Sequence, residues 1–475
     1  MKRTAFDFPL ALARGSGDPL RVQVVHGLRV AVQTGRLPAG SALPSTRALA
    51  ADLGISRGLV VEAYEQLRAE GYLIAQRGSA TRVARRRLPD APARRTRETP
   101  VVMQPPALAA WRPRFDFRPG VPDVSLFPAR SWMRALRRAW ADGAPAVLDY
   151  PDPQGVEPAR TALASYLSRS RATVAEASRV VLCTGFAQAA RLVAEVLRAR
   201  GVRRMIVEDP GHAEQCADIR AAGLELVPVP VDDGGLVVDR LATIDAGAAL
   251  VTPAHQHPTG AVLDPERRAA LLAWAETRRA FVLEDDYDAE YRYDRAPVGA
   301  LQGLAPERVV YIGSASKMLA PSLRQGWLVV PAELVAGVRQ AKLSADRGSP
   351  ALEQLALAAF LEAGELDRHL RRTRGIYRRR RDALVGALGR YLPGTTVHGV
   401  AAGLHALVAL PRSTDEPGVV AAAARNGVRV YGAREYHAVP AAAPPALLLG
   451  YGGVSEKDIE PGVKQLAKII GGARR

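Results

Sequence analysis

The 475-residue sequence predicts an α/β protein carrying a small helical head near its N-terminal end. Three observations carry that prediction. Short apolar runs at 180–183, 205–207, 249–252, 281–283, 309–312 and 327–330 alternate with long Ala/Leu/Arg stretches, the pattern of a sheet covered by helices on its faces. Residues 15–84 form a separate pattern, with three short helical periods ending in a hairpin. Between the two, Arg85, Arg86, Arg87, Pro89, Pro92, Arg94, Arg95, Pro100, Pro105 and Pro106 make an aperiodic segment with the composition of an extended linker. The expected domains are therefore 1–84, a linker over 85–113, and 114–475. A long helix is expected from about residue 340, followed by a smaller α+β part.

Composition narrows the class. Apolar residues make up 48%, enough for a sizeable core and too many for a disordered chain. There is no charged-then-apolar leader and no run of eighteen apolar residues, so a soluble cytoplasmic protein without membrane contact is expected. Cys183 and Cys216 offer neither a disulfide framework nor metal-ligand spacing, and both read as small buried apolar residues. No metal site is expected. The net charge is +17, and residues 1–113 hold 18 Lys/Arg against 8 Asp/Glu. A basic end suits a polyanion partner, although a solvated basic tail would look the same by charge alone.

In the head, Leu20, Val24, Leu28 and Val32 recur every four residues and give one apolar helix face. Leu37 to Gly40 carries turn chemistry. Ser45 caps a second helix from Thr46 to Leu53, and Gly54 ends it. Ser56 caps a third, in which Val60, Tyr64 and Leu67 form the buried stripe. Two short helices across a Gly-containing turn make a helix-turn-helix. Residues 72–74 and 81–83 can pair across Gln76–Ser79 as a wing with a basic tip. Arg57, just inside the third helix, stands where such a helix meets base edges and can bond guanine bidentately. Arg47 and Arg77 suit phosphates or the minor groove. A small helical bundle with scattered surface arginines remains the plainer alternative.

In the larger domain the strongest chemical signal is Ser314-Ala315-Ser316-Lys317 followed by Arg324. A lysine after a strand can form a Schiff base with an aldehyde, while hydroxyls and an arginine bind a phosphate. Alone, this string reads more readily as an ordinary loop lysine. Asp285, at the end of the run 281–285, could face a pyridinium nitrogen and keep the ring an electron sink; isolated, Asp285-Asp286 would cap a helix. Thr184-Gly185-Phe186-Ala187 joins a strand to a helix whose amides can receive phosphate. His212, in Glu208-Asp209-Pro210-Gly211-His212, could stack on a pyridine ring or be an ordinary loop histidine.

Taken together, these strings carry two resemblances. Residues 15–84 resemble a GntR-family winged helix through GRLPAGSALPSTR (35–47), LGISR (53–57) and AYEQLRAEGYL (63–73). The resemblance implies double-stranded operator DNA as a partner, contacted by Arg47, by Ser56, Arg57 and Gly58, and by Arg77 and Gly78. Val61 occupies a position often basic in that family, which leaves base specificity open. Residues 115–475 resemble fold-type I aminotransferases, and specifically the MocR/GabR-like regulators of which PdxR-type regulators are one kind. The strings are LDYPDPQG (148–155), EDPGH (208–212), TPAHQHPTG (252–260), EDDYDAEYRY (284–293), GSASK (313–317) and PSLRQGW (321–327).

That second resemblance implies a mainly parallel seven-stranded sheet with helices on both faces, a small α+β C-terminal part, and pyridoxal 5′-phosphate as cofactor. It implies that Lys317 forms the Schiff base, Asp285 meets the ring nitrogen, Tyr287 the ring hydroxyl, and His212 stacks on the ring. Gly185, Phe186, Ala187, Ser314, Ser316 and Arg324 would bind the phosphate. Tyr150 would reach the phosphate of the partner subunit in a head-to-tail homodimer.

Two departures bear on function. His257 stands where aminotransferases have asparagine before Pro-Thr-Gly, and Leu448 stands where amino-acid-binding relatives carry the arginine that grips a carboxylate. Arg434 could substitute for it or lie at the surface. The expected function is a cofactor-dependent transcription regulator rather than an enzyme. Its effector would be pyridoxal 5′-phosphate itself, as in control of vitamin B6 biosynthesis, or an amine or amino acid. The alternative is an active aminotransferase with an appended DNA-binding domain.

Overall fold

The computed structural model describes residues 10, 12–13, 19–74, 80–84, 112–143, 148–293 and 298–472. Two compact units divide the chain, Met1–Leu108 and Ala109–Arg475. Almost all of the expected linker lies outside the described residues, as does the wing tip with Arg77 and Gly78.

The first unit contains α1 (Leu20–Gln33), α2 (Thr46–Leu53), α3 (Arg57–Ala69), β1 (Leu73–Ile74) and β2 (Arg82–Val83). The caps named in the sequence close the helices: Ser45 Oγ accepts from Ala48 N at 3.2 Å, and Ser56 Oγ from Leu59 N at 3.4 Å. Gly54 ends α2 at φ +61°, a left-handed conformation that glycine adopts without penalty. Val24, Leu28, Val60, Tyr64 and Leu67 meet in one core. The face of α1 is shifted from expectation: Val25 and Ala31 are buried, while Val32 is only half-buried. β1 and β2 pair antiparallel, Leu73 opposite Val83.

In the second unit β3 (Phe115–Asp116), α4 (Ala129–Gly143) and α5 (Glu157–Arg171) precede the main sheet. Its strands are β4 (Val180–Cys183), β5 (Arg204–Asp209), β6 (Glu225–Asp232), β7 (Gly235–Leu236), β8 (Ala248–Val251), β9 (Phe281–Asp285), β10 (Val309–Ser314) and β11 (Gly326–Val329). The order is β4-β11-β10-β9-β8-β5-β6-β7. Pairs from β6 to β10 are parallel, whereas β11 runs antiparallel to both neighbours. The sheet thus has eight strands where seven were expected, because β7 turns straight back on the end of β6.

β6 was not among the apolar runs, since Pro228 and Pro230 argue against a strand. They are tolerated because they face outward. The Pro230 carbonyl accepts from Val237 N on the far side from β5, so the missing N–H of the same residue lies on the outer edge too.

Side chains alternate across the central strands. Val181, Cys183, Leu283 and Ile312 pack with α6 (Phe186–Ala199) and α9 (Ala332–Asp346). Val282, Val309 and Ala249 pack with α8 (Pro265–Arg278) on the opposite side. Between them in sequence, α7 (Ala213–Ala221) follows β5. The long helix expected from residue 340 is three helices, α9, α10 (Ala351–Glu362) and α11 (Glu365–Tyr391). Pro350, with no N–H to donate, stands at the head of α10, and Gly364 takes a left-handed φ of +65° before α11.

The C-terminal part holds β12 (Val397–His398), β13 (His405–Ala409), α12 (Glu416–Arg425), β14 (Val428–Arg429), β15 (Tyr431–Gly432), β16 (Ala446–Gly450) and α13 (Glu456–Gly472). β12, β13, β16 and β15 form an antiparallel sheet in that order, and β14 pairs with β3. No helix among the described residues is long and apolar enough to cross a membrane.

Candidate functional site

The C-terminal ends of β5, β8, β9 and β10 open onto a cavity of about 360 Å³. Ligands bind at this edge of open α/β sheets because loops and helix N-termini converge there. The cavity is lined by Phe186, Ala187, His212, Asp285, Tyr287, Ser314, Ser316, Lys317 and Arg324, all singled out in the sequence. Pro119, Gly120, Glu208, Gln215, Cys216, Asp218, Thr252, His257 and Tyr436 complete much of the wall.

One end suits an anion. α6 begins at Phe186, so its first amides face outward unpaired by the helix. Gly185 (φ +102°) precedes it, and a Cβ there would stand 3.4 Å from the Arg324 guanidinium. Arg324 itself holds φ +51°, uncommon for a residue with a side chain, and makes no salt bridge among the described residues. A local cradle thus brings two donors close and leaves the cation without a carboxylate.

The other end suits a nitrogen cation. Asp285, the last residue of β9, is 4% exposed and accepts from Gln215 Nε2 at 3.0 Å. Burial pushes its carboxyl up to about 8, with Asp286 and Asp288 adding to the shift and Gln215 and Lys317 opposing it. The adjacent Asp286 has a different role. Arg171 grips it at 2.6 and 3.0 Å, and the Tyr311 hydroxyl donates to it at 2.6 Å. Asp286 is therefore a structural anchor, and Asp285 is the carboxylate left for the cavity.

Lys317 lies between these ends and donates to the Gly120 carbonyl. Burial lowers its pKa below the ordinary lysine value, against the pull of Asp288 and Asp285. A partly desolvated amine is a better nucleophile at neutral pH. His212 stacks on His257, ring centroids 5.0 Å apart and planes 26° from parallel. Burial, then the Lys317 charge, push His212 down to about 4. Its Nδ1 is buried without a hydrogen-bond partner among the described residues.

Further residues singled out in the sequence can be placed, one of them, Cys216, against expectation. Tyr150 is 84% exposed and does not line this cavity within its own chain. Cys183 is buried, but Cys216 is half-buried on the cavity wall, since α7 turns that side toward the opening. Leu448 is fully buried and not on the wall. It pairs with Leu407 and Tyr431 within the small sheet. Arg434 is not on the wall either, although its neighbour Tyr436 is; its amide donates to Glu416 at 3.1 Å.

Sequence reasoning also missed residues. Gln215 had no motif signal, and Glu208, though it opens the string EDPGH, was given no role. His255 and His405 sit far apart in sequence yet lie 5.1 Å apart by ring centroid, and with Asp288 they form a buried group with ligand atoms within 4.8 Å. That group is of a type the expectation of no metal site did not consider.

In the head, Arg47, Ser56, Arg57 and Gly58 are all exposed around the α2–α3 corner. Arg57 Nε donates to Thr46 Oγ1 at 3.4 Å, a weak tether that leaves most of the guanidinium open to solvent. Val61 is half-buried.

Comparison with known proteins follows the same division. The family described as "Aminotransferase class I and II" matches residues 119–466, and that described as "Bacterial regulatory proteins, gntR family" matches 20–83. The chain is similar to the HTH-type pyridoxine biosynthesis transcriptional regulator PdxR of Corynebacterium glutamicum, 34% identical over 90% of this chain and 91% of the relative. It is similar to the probable rhizopine catabolism regulatory protein MocR of Rhizobium meliloti, 32% identical over 96% of this chain and 95% of the relative. Among solved structures, α-aminoadipate aminotransferase LysN of Thermus thermophilus superposes with a TM-score of 0.69 at 26% identity, covering 76% of this chain and 92% of that one.

Proposed function

The chain belongs to the MocR/GabR-type regulators, in which a gntR-type head is joined to a class I and II aminotransferase domain, and we propose that it is a transcription regulator whose second domain binds pyridoxal 5′-phosphate. The observation that carries the cofactor reading is the cavity. A desolvated lysine, a buried carboxylate and an anion cradle occupy one space of about 360 Å³. The residues fit the group on structural grounds: Gly185 holds a φ of +102° that a side chain would strain, beside the Arg324 guanidinium, and the buried His212 Nδ1 has no hydrogen-bond partner among the described residues. Lys317 would bond the aldehyde carbon, Asp285 would meet the ring nitrogen, and His212 would cover a ring face. Gly185, Phe186, Ala187, Ser314, Ser316 and Arg324 would hold the phosphate. When bound, the group supplies an electrophilic carbon that reacts with amines.

Asp285 then has its physical explanation. A carboxyl raised by burial is stabilised as an anion when a ring N–H⁺ arrives, so the pair forms only with the cofactor in place. The head would read DNA through Arg47, Ser56, Arg57, Gly58, Arg77 and Gly78. Exposed Tyr150, together with exposed Met133, Trp140 and Leu148 nearby in sequence, supports a homodimer in which Tyr150 serves the partner subunit.

For the effector we favour the cofactor itself, as in control of vitamin B6 biosynthesis. Arg324 is the only arginine on the cavity wall among the described residues, and it is committed to the phosphate. Leu448 leaves a substrate carboxylate without a cation. PdxR of C. glutamicum is named for pyridoxine biosynthesis. The test is a gel shift on the chain's upstream intergenic DNA with and without pyridoxal 5′-phosphate. A shift altered by the cofactor near genes for its synthesis supports the reading; a response only to an unrelated amine overturns the effector assignment.

A further inference from the structure

Behind Tyr287 on the cavity wall lies a polar file, His255 and Asp288, that the cofactor contacts above do not use. The Tyr287 hydroxyl is 3.0 Å from His255 Nδ1. The same Nδ1 lies 3.1 and 3.0 Å from the two oxygens of Asp288. The side chains of His255 and Asp288 are 1% and 2% exposed, so water does not mediate among them.

One nitrogen between a carboxylate and a hydroxyl has few options. A bare lone pair facing the Asp288 oxygens would be repelled, so the proton sits on Nδ1 and points at the carboxylate. A protonated Nδ1 cannot accept from Tyr287, and the Tyr287 oxygen can only share that N–H as a second acceptor. The hydroxyl proton must then go elsewhere. Asp288 is the acceptor within hydrogen-bond reach of Tyr287 among the protein's own groups, and it also takes the His255 N–H; the anionic ring oxygen of a bound cofactor would be the alternative acceptor.

We propose that Asp288 and His255 form a positioning pair that turns the Tyr287 hydroxyl proton into the cavity, toward the ring oxygen of the bound cofactor. The inference rests on the pyridoxal phosphate reading above.

The scaffold around the pair is consistent with a fixed geometry. Gly403 (φ +76°) presses on it from one side: a Cβ there would collide with His255 Cε1 and stand 2.5 Å from both Nδ1 and Asp288 Oδ2. The Gly403 carbonyl is held by the Tyr293 and Tyr451 hydroxyls, each at 2.7 Å. On the other side, a Cβ at Gly260 (φ +72°) would stand 3.0 Å from His255 Nε2. The same packing disfavours a metal ion among His255, Asp288 and His405, because backbone fills the approaches to the ring.

A hydroxyl donating to the cofactor's ring oxygen stabilises its anion and so favours the deprotonated form of the loaded chromophore. The charged and titratable groups facing Tyr287 and Lys317 are Asp288 of the pair itself, Asp285 on β9, Glu208 on β5, His212 and His257 from the loops, and His405 on β13.

The test loads full-length protein with pyridoxal 5′-phosphate and follows its visible absorption against pH. His255→Phe, which keeps the Asp288 charge that raises the Lys317 pKa, is expected to raise the titration midpoint by roughly one unit, a tenfold change, from the loss of one oriented hydrogen bond. In a Tyr287→Phe background the same change is expected to move nothing further. An unmoved midpoint in His255→Phe, or an equal shift with phenylalanine at 287, overturns the proposal. Should those variants fold poorly, histidine side-chain NMR of the unaltered protein decides: a protonated His255 Nδ1 supports the pair and an unprotonated one overturns it. Stoichiometric metal in the purified protein would also overturn it. Absence of any visible absorption in the unaltered protein would remove the cofactor reading itself, a result distinct from a normal spectrum with an unmoved midpoint.

Discussion

The head and the cavity do chemistry by opposite means. In the head, Arg47, Ser56, Arg57 and Gly58 are exposed, and their expected partner is a polyanion met in solvent. In the cavity, Asp285, Tyr287, His257 and Lys317 are withdrawn from water, and burial moves every one of their pKa values away from the ordinary. An exposed arginine keeps its charge whatever its neighbours do. A buried carboxylate or amine is defined by them. Changes in the head should therefore act on DNA affinity one contact at a time, and changes in the cavity should act on cofactor, pH response and stability together.

The largest expected effect is at Lys317. Lys317→Ala should abolish the visible absorption of protein mixed with pyridoxal 5′-phosphate while leaving the circular dichroism spectrum unchanged; a retained spectrum would assign the chemistry to another amine. Arg324→Ala should weaken cofactor binding by roughly tenfold to a hundredfold, the scale of one charged hydrogen-bonding partner, measured by equilibrium titration. An unchanged affinity would mean that the helix N-terminus and serines suffice.

Two smaller effects sharpen the contrast. Arg57→Ala should cost about 1–3 kcal/mol of specific DNA binding and leave the cofactor spectrum untouched. Equal losses on specific and random DNA would reduce Arg57 to a phosphate contact. Asp285 carries a pH signature for the cofactor-free protein. Its folded pKa, about 8, lies above the unfolded value of 3.8, so the folded state holds the extra proton. Its contribution is complete below about pH 4 and is lost as pH rises through 8. Asp285→Asn should flatten the fall in stability over that range relative to the unaltered protein, as read by denaturant melts at several pH values.

How much of this could be read beforehand followed the same divide. The caps at Ser45 and Ser56 and the bounds of α2 were evident because capping is local, set within three residues of chain. The cavity lysine, carboxylate and phosphate cradle were evident because short strings at strand ends carry them. Long-range geometry was not. His255, Asp288 and His405 come from a loop after β8, a turn after β9 and a strand of the small sheet, and no spacing links them. Asp285 was singled out by its string, whereas the anchoring of Asp286 by Arg171 had no local signal. β6 was hidden by prolines whose outward direction depends on which edge stays open. The break-up of the long helix near residue 340 was signalled by Pro350 and Gly364 and was overlooked because the apolar pattern continues across them.

A regulator of this kind requires the cofactor cavity and the DNA-reading head to be coupled. Coupling means that the cofactor binds two DNA-binding states with different affinity. The direct measurement is the affinity of full-length protein for its upstream intergenic DNA, at fixed salt, with and without saturating pyridoxal 5′-phosphate, in parallel with Lys317→Ala. The account predicts that the cofactor changes affinity or footprint in the unaltered protein and not in the variant. Identical DNA binding under all four conditions, with the cofactor visibly bound, would contradict it.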